Sequence, residues 1–126
     1  MTRKVMYWVS TVLVVGLSGV AAVSYLMAAP DAVSGFARVG YPQQLRVLLG
    51  IAKLLGAIVL VVPGVPKLKE WAYAGFTFAW IAAFVAHYQA GDGPVSVMPL
   101  GLLAFLAVSY VTRPESRQWQ AKTAMA

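Results

Sequence analysis

Four long stretches of the chain carry almost no polar residue. The first, Val5 to Ala29, has no charged side chain. The second, Leu45 to Val62, is interrupted by Arg46 near its start and Lys53 near its middle. The third, Trp71 to Ala90, contains His87, and the fourth, Val95 to Thr112, is the shortest. A helix of about 20 apolar residues crosses about 30 Å of hydrocarbon, so the pattern predicts four membrane-spanning helices. Pro30, Pro42, Pro63, Pro66, Pro94 and Pro114 stand at their edges, where a residue without an N–H starts or stops a helix. Pro99 falls in the first turns of the fourth helix and predicts a kinked entry.

Short connections between successive crossings favour an all-α, antiparallel four-helix bundle, with residues 1–126 as a single membrane domain. The longest connection runs from Pro30 to Gln44. Thr2-Arg3-Lys4 resembles the positive start of a secretion signal, but the apolar run that follows far exceeds the usual 7–15 residues, so the first helix is read as uncleaved. Basic residues in short loops set orientation. Arg3, Lys4, Lys67, Lys69, Arg113, Arg117 and Lys122 fall on one side, against Arg38 and Arg46 on the other. Both termini are therefore expected to be cytoplasmic.

Composition agrees with a lipid solvent. Of 126 residues 60% are apolar and 11% charged, against about 25% charged in a soluble domain. The absence of cysteine excludes disulfides, thiolate metal sites and thiol exchange within the chain. A single histidine cannot hold a metal or a haem alone, so no metal is expected. The net charge is +6, and the short basic tail after Arg113 suits cytoplasmic-leaflet lipid rather than nucleic acid.

Small residues at helical spacing predict close packing of helices: Gly75, Ala79 and Ala83 on the third, Ala52 and Gly56 on the second, Ser18 and Ala22 on the first. Polar residues also recur on single faces. Tyr7, Thr11, Ser18 and Tyr25 do so on the first helix, and Glu70, Tyr73, Thr77, Trp80 and His87 on the third. Such faces predict a partly polar interior, unless the hydroxyls simply bond their own i−4 carbonyls. Lys53 is the most informative residue. An intramembrane lysine usually faces the protein interior and has a partner, yet Asp31, Glu70, Asp92 and Glu115 all lie at membrane edges. By depth its neighbours are Ser18, Thr77, Trp80 and Leu103. Two readings stand: an interior amine lining a ligand site with Ser18, Tyr73, Thr77 and Trp80, or a lysine stretched along the helix to a headgroup. Arg46, His87 and Asp92 form a second expected cluster on the outer side. It is either an anion- or proton-handling site or an ion pair pinning two helices. Glu70, at a helix start, is expected to complement the helix dipole.

The segment YPQQLRVLLGIAKLLGAIVLVVPGVPKLKEWAYAGFTFAWIAAFVAHYQAGD, Tyr41 to Asp92, resembles the DoxX-like family of small bacterial membrane proteins. The resemblance rests on Gly40-Tyr41-Pro42, Lys53-Leu54-Leu55-Gly56-Ala57, Pro63, Leu68 to Phe76, His87 and Gly91-Asp92; the flanking helices match in character only. It implies a multi-pass four-helix protein of the bacterial inner membrane. It also implies an association with thiosulfate:quinone oxidoreduction or oxidative-stress complexes, while more distant relatives assist membrane-protein assembly. The expected function is a quinone- or lipid-binding accessory subunit beside a membrane redox partner, without catalysis of its own. The alternatives are an assembly or interaction factor and, less well supported, a small homo-oligomeric transporter.

Overall fold

The computed structural model describes residues 2–118, which hold helices and no strand. Four long helices, α1 (Thr2–Leu26), α3 (Gln43–Val61), α4 (Pro66–Gln89) and α5 (Met98–Thr112), are accompanied by a short one, α2 (Pro30–Arg38). Single 3-10 turns precede α5 at Gly93–Val97 and follow it at Glu115–Arg117. α1 packs on α3 and α5, and α4 packs on the same two helices. Arg46 at the start of α3 donates to the Tyr25 carbonyl at the end of α1. Glu70 near the start of α4 meets Arg113 just beyond α5. These neighbours therefore run antiparallel.

Three helical stretches, Thr2–Leu26, Gln43–Val61 and Gly93–Thr112, are long and apolar enough to cross a membrane. At 24 residues α4 is long, but Trp71, Tyr73, Thr77, Trp80, His87 and Tyr88 make it less apolar and keep it outside that set. The outer surface is far more apolar than a soluble protein's. On α1 the buried stripe is Tyr7, Ser10, Thr11, Val14, Ser18 and Ala22, at helical spacing, while Val5, Val9, Val12 and Val20 face outward. Leu48, Leu55, Trp71, Phe78 and Val111 are likewise exposed on the other long helices. Large apolar side chains outside, and a buried stripe on α1 that includes small and hydroxylated ones, suit a solvent of lipid tails, where packing and hydrogen bonds help to join helices.

The interior holds two layers. Val14, Leu60, Tyr73, Phe76, Trp80 and Leu106 form the apolar core, with Trp80 stacked on Phe76 at 5.2 Å between ring centroids. Beside it, the fully buried Ser109 hydroxyl bonds Thr11 Oγ1 at 2.6 Å and Tyr73 Oη at 2.7 Å. This chain ties α1, α4 and α5 together, as the polar faces predict.

The structure departs from the sequence reading at several places. The Pro30–Gln44 connection contains α2. Pro30 opens that helix, Asp31 lies in its first turn and Arg38 in its last, each where helix polarity favours it. Gly40, at φ +83, closes it: Tyr41 N–H returns to Phe36 O and Gly40 N–H to Ala37 O, the pattern of a Schellman cap. Pro99 follows closely on the 3-10 turn Gly93–Val97, where the fourth helix changes to α geometry. It occupies the first turn of α5, where its missing N–H has no intrahelical acceptor to lose. Glu70 makes no cap bond at the start of α4; it accepts from Tyr110 Oη at 2.9 Å and pairs with Arg113 at 3.1 Å. Lys122 lies outside the described residues.

The last four carbonyls of a helix have no partner within it. At the end of α3 these are Val59, Leu60, Val61 and Val62, and every one is met by a cation. Lys69 Nζ donates to Val59 O and Val62 O. Arg117 donates to Leu60 O at 2.9 Å and Val61 O at 3.2 Å. Lys69 is 1% exposed, so α4 supplies a buried cap for the helix before it. Lys69→Met keeps the bulk but leaves buried carbonyls unpaired. It should destabilise the protein by about 1–3 kcal/mol, read as a lower Tm in detergent. Lys67→Met, at an exposed position, should stay within about 0.5 kcal/mol. Equal effects would refute the capping role.

Candidate functional site

At the end of the molecule that carries α2, the helices enclose a cavity of about 440 Å³. α2 supplies its cover. Phe36, buried on the inner face of α2, packs edge-on against Tyr25 at 5.1 Å and lies 6.2 Å from Tyr41. α4 supplies an open wall, because Ala79, Ala82, Ala83 and Ala86 all face the cavity and none fills it. The floor is Lys53 with Leu49, from α3.

Lys53 Nζ lies 3.4 Å from Tyr25 Oη and 4.8 Å from the centre of the Tyr25 ring. The amine therefore has a weak hydroxyl contact and an aromatic face for a cation–π interaction. Among the described residues no carboxylate lies within ion-pair reach of it.

The rim of the cavity is held electrostatically. Asp92 accepts from Arg38 on α2 and from His87 Nδ1 on α4. Its position follows from the end of α4. Gly91 takes φ +76, and Asp92 N–H folds back to His87 O at 3.1 Å while Gly91 N–H bonds Tyr88 O at 3.1 Å. This second Schellman cap turns the Asp92 side chain onto the residue five positions before it. The Arg38 and His87 contacts hold the Asp92 carboxyl below its ordinary pKa range.

The residues proposed from sequence are distributed over four places. Lys53 is in the cavity. Tyr73 and Thr77 line a separate groove between α4 and α5, and Thr77 Oγ1 bonds its own i−4 carbonyl, Tyr73 O, at 2.7 Å. Trp80 is in the apolar core. Ser18 is buried on α1, and its hydroxyl has no partner among the described residues. The depth argument put Lys53 level with Ser18 and Thr77, but helical side chains lean toward the N-terminus of their own helix. On α3 that direction is toward α2, so the amine meets Tyr25. The Arg46–His87–Asp92 grouping also separates. Arg46 is 8% exposed and bonds Gln43 Oε1 at 2.8 Å and Tyr25 O; Arg38 takes the place expected for it beside Asp92.

The small-residue stripes divide as well. A Cβ on Gly56 would come within 2.9 Å of the Phe76 ring, a true close contact between α3 and α4. A Cβ on Gly75 would meet nothing within 4 Å, so Gly75 faces open space rather than a neighbouring helix. Sequence reasoning named Tyr25 as part of a polar face but did not place it in the site. It missed Phe36 and did not assign Arg38 or Tyr41 to a site, because all three depend on α2. The i, i+3 spacing of Val33 and Phe36 after Pro30 is the signal that was present.

The chemistry available is recognition. Lys53, Arg38, Tyr25 and Tyr41 present donors and aromatic surface to the cavity, which suits an acceptor-bearing or anionic head. Among the described residues no group of three or more His, Asp or Glu side chains is placed to hold a metal ion.

An all-helical chain with membrane-length apolar helices, an outward apolar surface and a polar interior layer is an integral membrane protein. It belongs to the DoxX-like family, whose model matches residues 9–109. No match was found among curated proteins or among solved structures.

The Asp92 contacts give α2 a pH dependence with a definite sign. A carboxyl with a lowered folded pKa stabilises the fold above its unfolded pKa, and that contribution is lost as pH falls through the folded value. Hydrogen exchange of the α2 amides should therefore show full protection at neutral pH and a loss on the acid side of the ordinary carboxylate range. Asp92→Asn should show the weakened protection already at neutral pH. Protection in that variant equal to wild type would refute the rim role of Asp92.

Proposed function

We propose that this DoxX-like protein crosses the bacterial inner membrane four times as an antiparallel bundle, with both termini cytoplasmic and the α2 end outside. In this reading the cavity under α2 binds a small amphipathic molecule, quinone- or lipid-like, and the protein serves as a non-catalytic accessory subunit of a membrane redox or stress-response complex. The observation that carries the reading is the cavity with Lys53 at its floor, between aromatic rings and beside a wall of alanines. An amine in hydrocarbon without a nearby carboxylate favours a ligand that brings an acceptor. Quinone carbonyls and lipid head groups both do so.

A second reading, an assembly or interaction factor, is favoured by a different feature. Trp71, Phe78 and Val85 recur every seven residues on α4, so they share a face, and they are 66%, 73% and 42% exposed. That face suits a partner helix or a second copy of the chain.

The orientation can be tested directly because the chain has no cysteine. A maleimide that cannot cross membranes should label Ser34→Cys in spheroplasts and should label Lys67→Cys only after permeabilisation. The opposite result would reverse the topology. Lys53→Leu should then leave the helical circular dichroism intact and abolish retention of the bound small molecule in native mass spectrometry. If retention is unchanged and co-purifying proteins are lost in a Trp71→Leu/Phe78→Leu variant, the interaction reading replaces the ligand-binding one.

A further inference from the structure

The cavity does not stop at Lys53. A groove of about 520 Å³ runs between α3 and α4, and it shares Leu49, Lys53 and Ala79 with the cavity. From Lys53 to Val59 it follows α3 for six residues, about 9 Å at 1.5 Å per residue. Apart from Lys53, its walls are apolar or small, including Ala52, Gly56, Gly75 and Trp71. It opens sideways, since Leu55 and Leu68 at its edges are 58% and 44% exposed. Gly75 leaves room along it, as among the described residues no atom beyond its own stretch of α4 stands within 4 Å of where its Cβ would be. At about 30 Å³ for a water-sized group, the groove holds roughly 17 such groups, the bulk of one alkyl chain.

Charge separates the two halves of this tract. On the rim, Arg38 and His87 share Asp92. Asp31 also lines the cavity but makes no ion pair with Lys53. Lys53 stands where the apolar groove meets the cavity, and among the described residues its polar and cation–π contacts are to the Tyr25 hydroxyl and ring. An intramembrane amine is costly without a counter-charge, and a neutral carbonyl supplies none.

We infer that the ligand is a single-chain acidic lipid of the fatty-acid class, with its carboxylate on Lys53 and Tyr25 and its alkyl chain in the α3/α4 groove. The inference rests on the amphiphile-binding reading and names its ligand class. A carboxylate supplies the missing counter-charge and accepts from the Tyr25 hydroxyl. The chain fills space that no side chain occupies.

Trp71, on the groove wall, is a built-in reporter, because bromine quenches tryptophan emission on contact. Full-length protein in maltoside micelles would be titrated with dodecanoic acid brominated at its far end and, separately, with the methyl ester of the same acid. A short-chain quinone with a brominated tail makes the third probe. The acid should quench saturably, and the ester and quinone should give only the linear quenching of a micelle additive. Lys53→Gln should weaken the acid's midpoint at least tenfold, and Lys53→Arg should restore it to within about threefold. Gly75→Leu, which enters open space and keeps the helix, should remove the saturable phase, as should Trp71→Phe. Saturation by the ester or the quinone at the acid's concentration, with Lys53→Gln indifferent, overturns the acidic head and leaves amphiphile binding standing. An acid that saturates equally in Gly75→Leu overturns the groove as the chain's path. No saturable quenching by any probe overturns this inference and the amphiphile reading together.

Discussion

A carbonyl at the end of a helix in or beside hydrocarbon has no water to bond, and its cost must be met by the protein. α3 meets this constraint with two cations from elsewhere in the chain, Lys69 of α4 and Arg117 beyond α5. The end of α3 is thereby fixed against the start of α4 and the segment after α5. The same device recurs. Arg46 takes the Tyr25 carbonyl at the end of α1, and Arg113 takes the Tyr110 carbonyl at the end of α5. Four of the positive charges that a sequence reader assigns to topology, Arg46, Lys69, Arg113 and Arg117, also meet carbonyls at helix C-terminal ends in this fold. One residue can serve both ends because the C-terminal pole of a helix attracts a cation and the membrane edge is where that pole emerges.

With the ends fixed, the interior does not need hydrophobic burial to hold it. Thr11, Ser109 and Tyr73 join three helices through hydroxyls, and Gly56 lets the Phe76 ring lie against α3. Interhelical hydrogen bonds of this kind in membranes contribute about 0.6 kcal/mol on average, so no single one governs the fold. Their effect is to fix which faces turn inward. That choice leaves the alanines of α4 beside the cavity and Gly75 beside the groove.

The long helices were legible because their signal is length and hydropathy, which survive any rotation of the helix. The site was only partly legible because it depends on direction. Lys53 stands out in the sequence as an amine without a carboxylate at its depth, but depth does not give the tilt of a side chain toward Tyr25. Arg46 and Arg38 are both plausible partners of Asp92 by position along the membrane normal, and only the presence of α2 decides between them. α2 escaped notice because at nine residues it is too short for a span, although Pro30, Asp31, Arg38 and Gly40 each stand where a helix end wants them. The stripe Gly75, Ala79, Ala83 illustrates the remaining ambiguity. Small residues at helical spacing mark either a close approach or an unfilled space, and sequence carries no sign that separates the two.

The cations in contact with a partner sort into two kinds, and one does not fit. Lys69, Arg117 and Arg46 are engaged by backbone carbonyls; Arg38 is engaged by Asp92, and Arg113 by Glu70 as well as a carbonyl. Each of these has a structural partner that accounts for its place. Lys53 has a hydroxyl at 3.4 Å and a ring, a weaker set, in the middle of the apolar helix α3. A chain that caps its helix ends so completely has met its structural need for positive charge without Lys53. The amine stands instead at the junction of a cavity and an apolar groove, where a carboxylate head with a hydrocarbon tail would complete it.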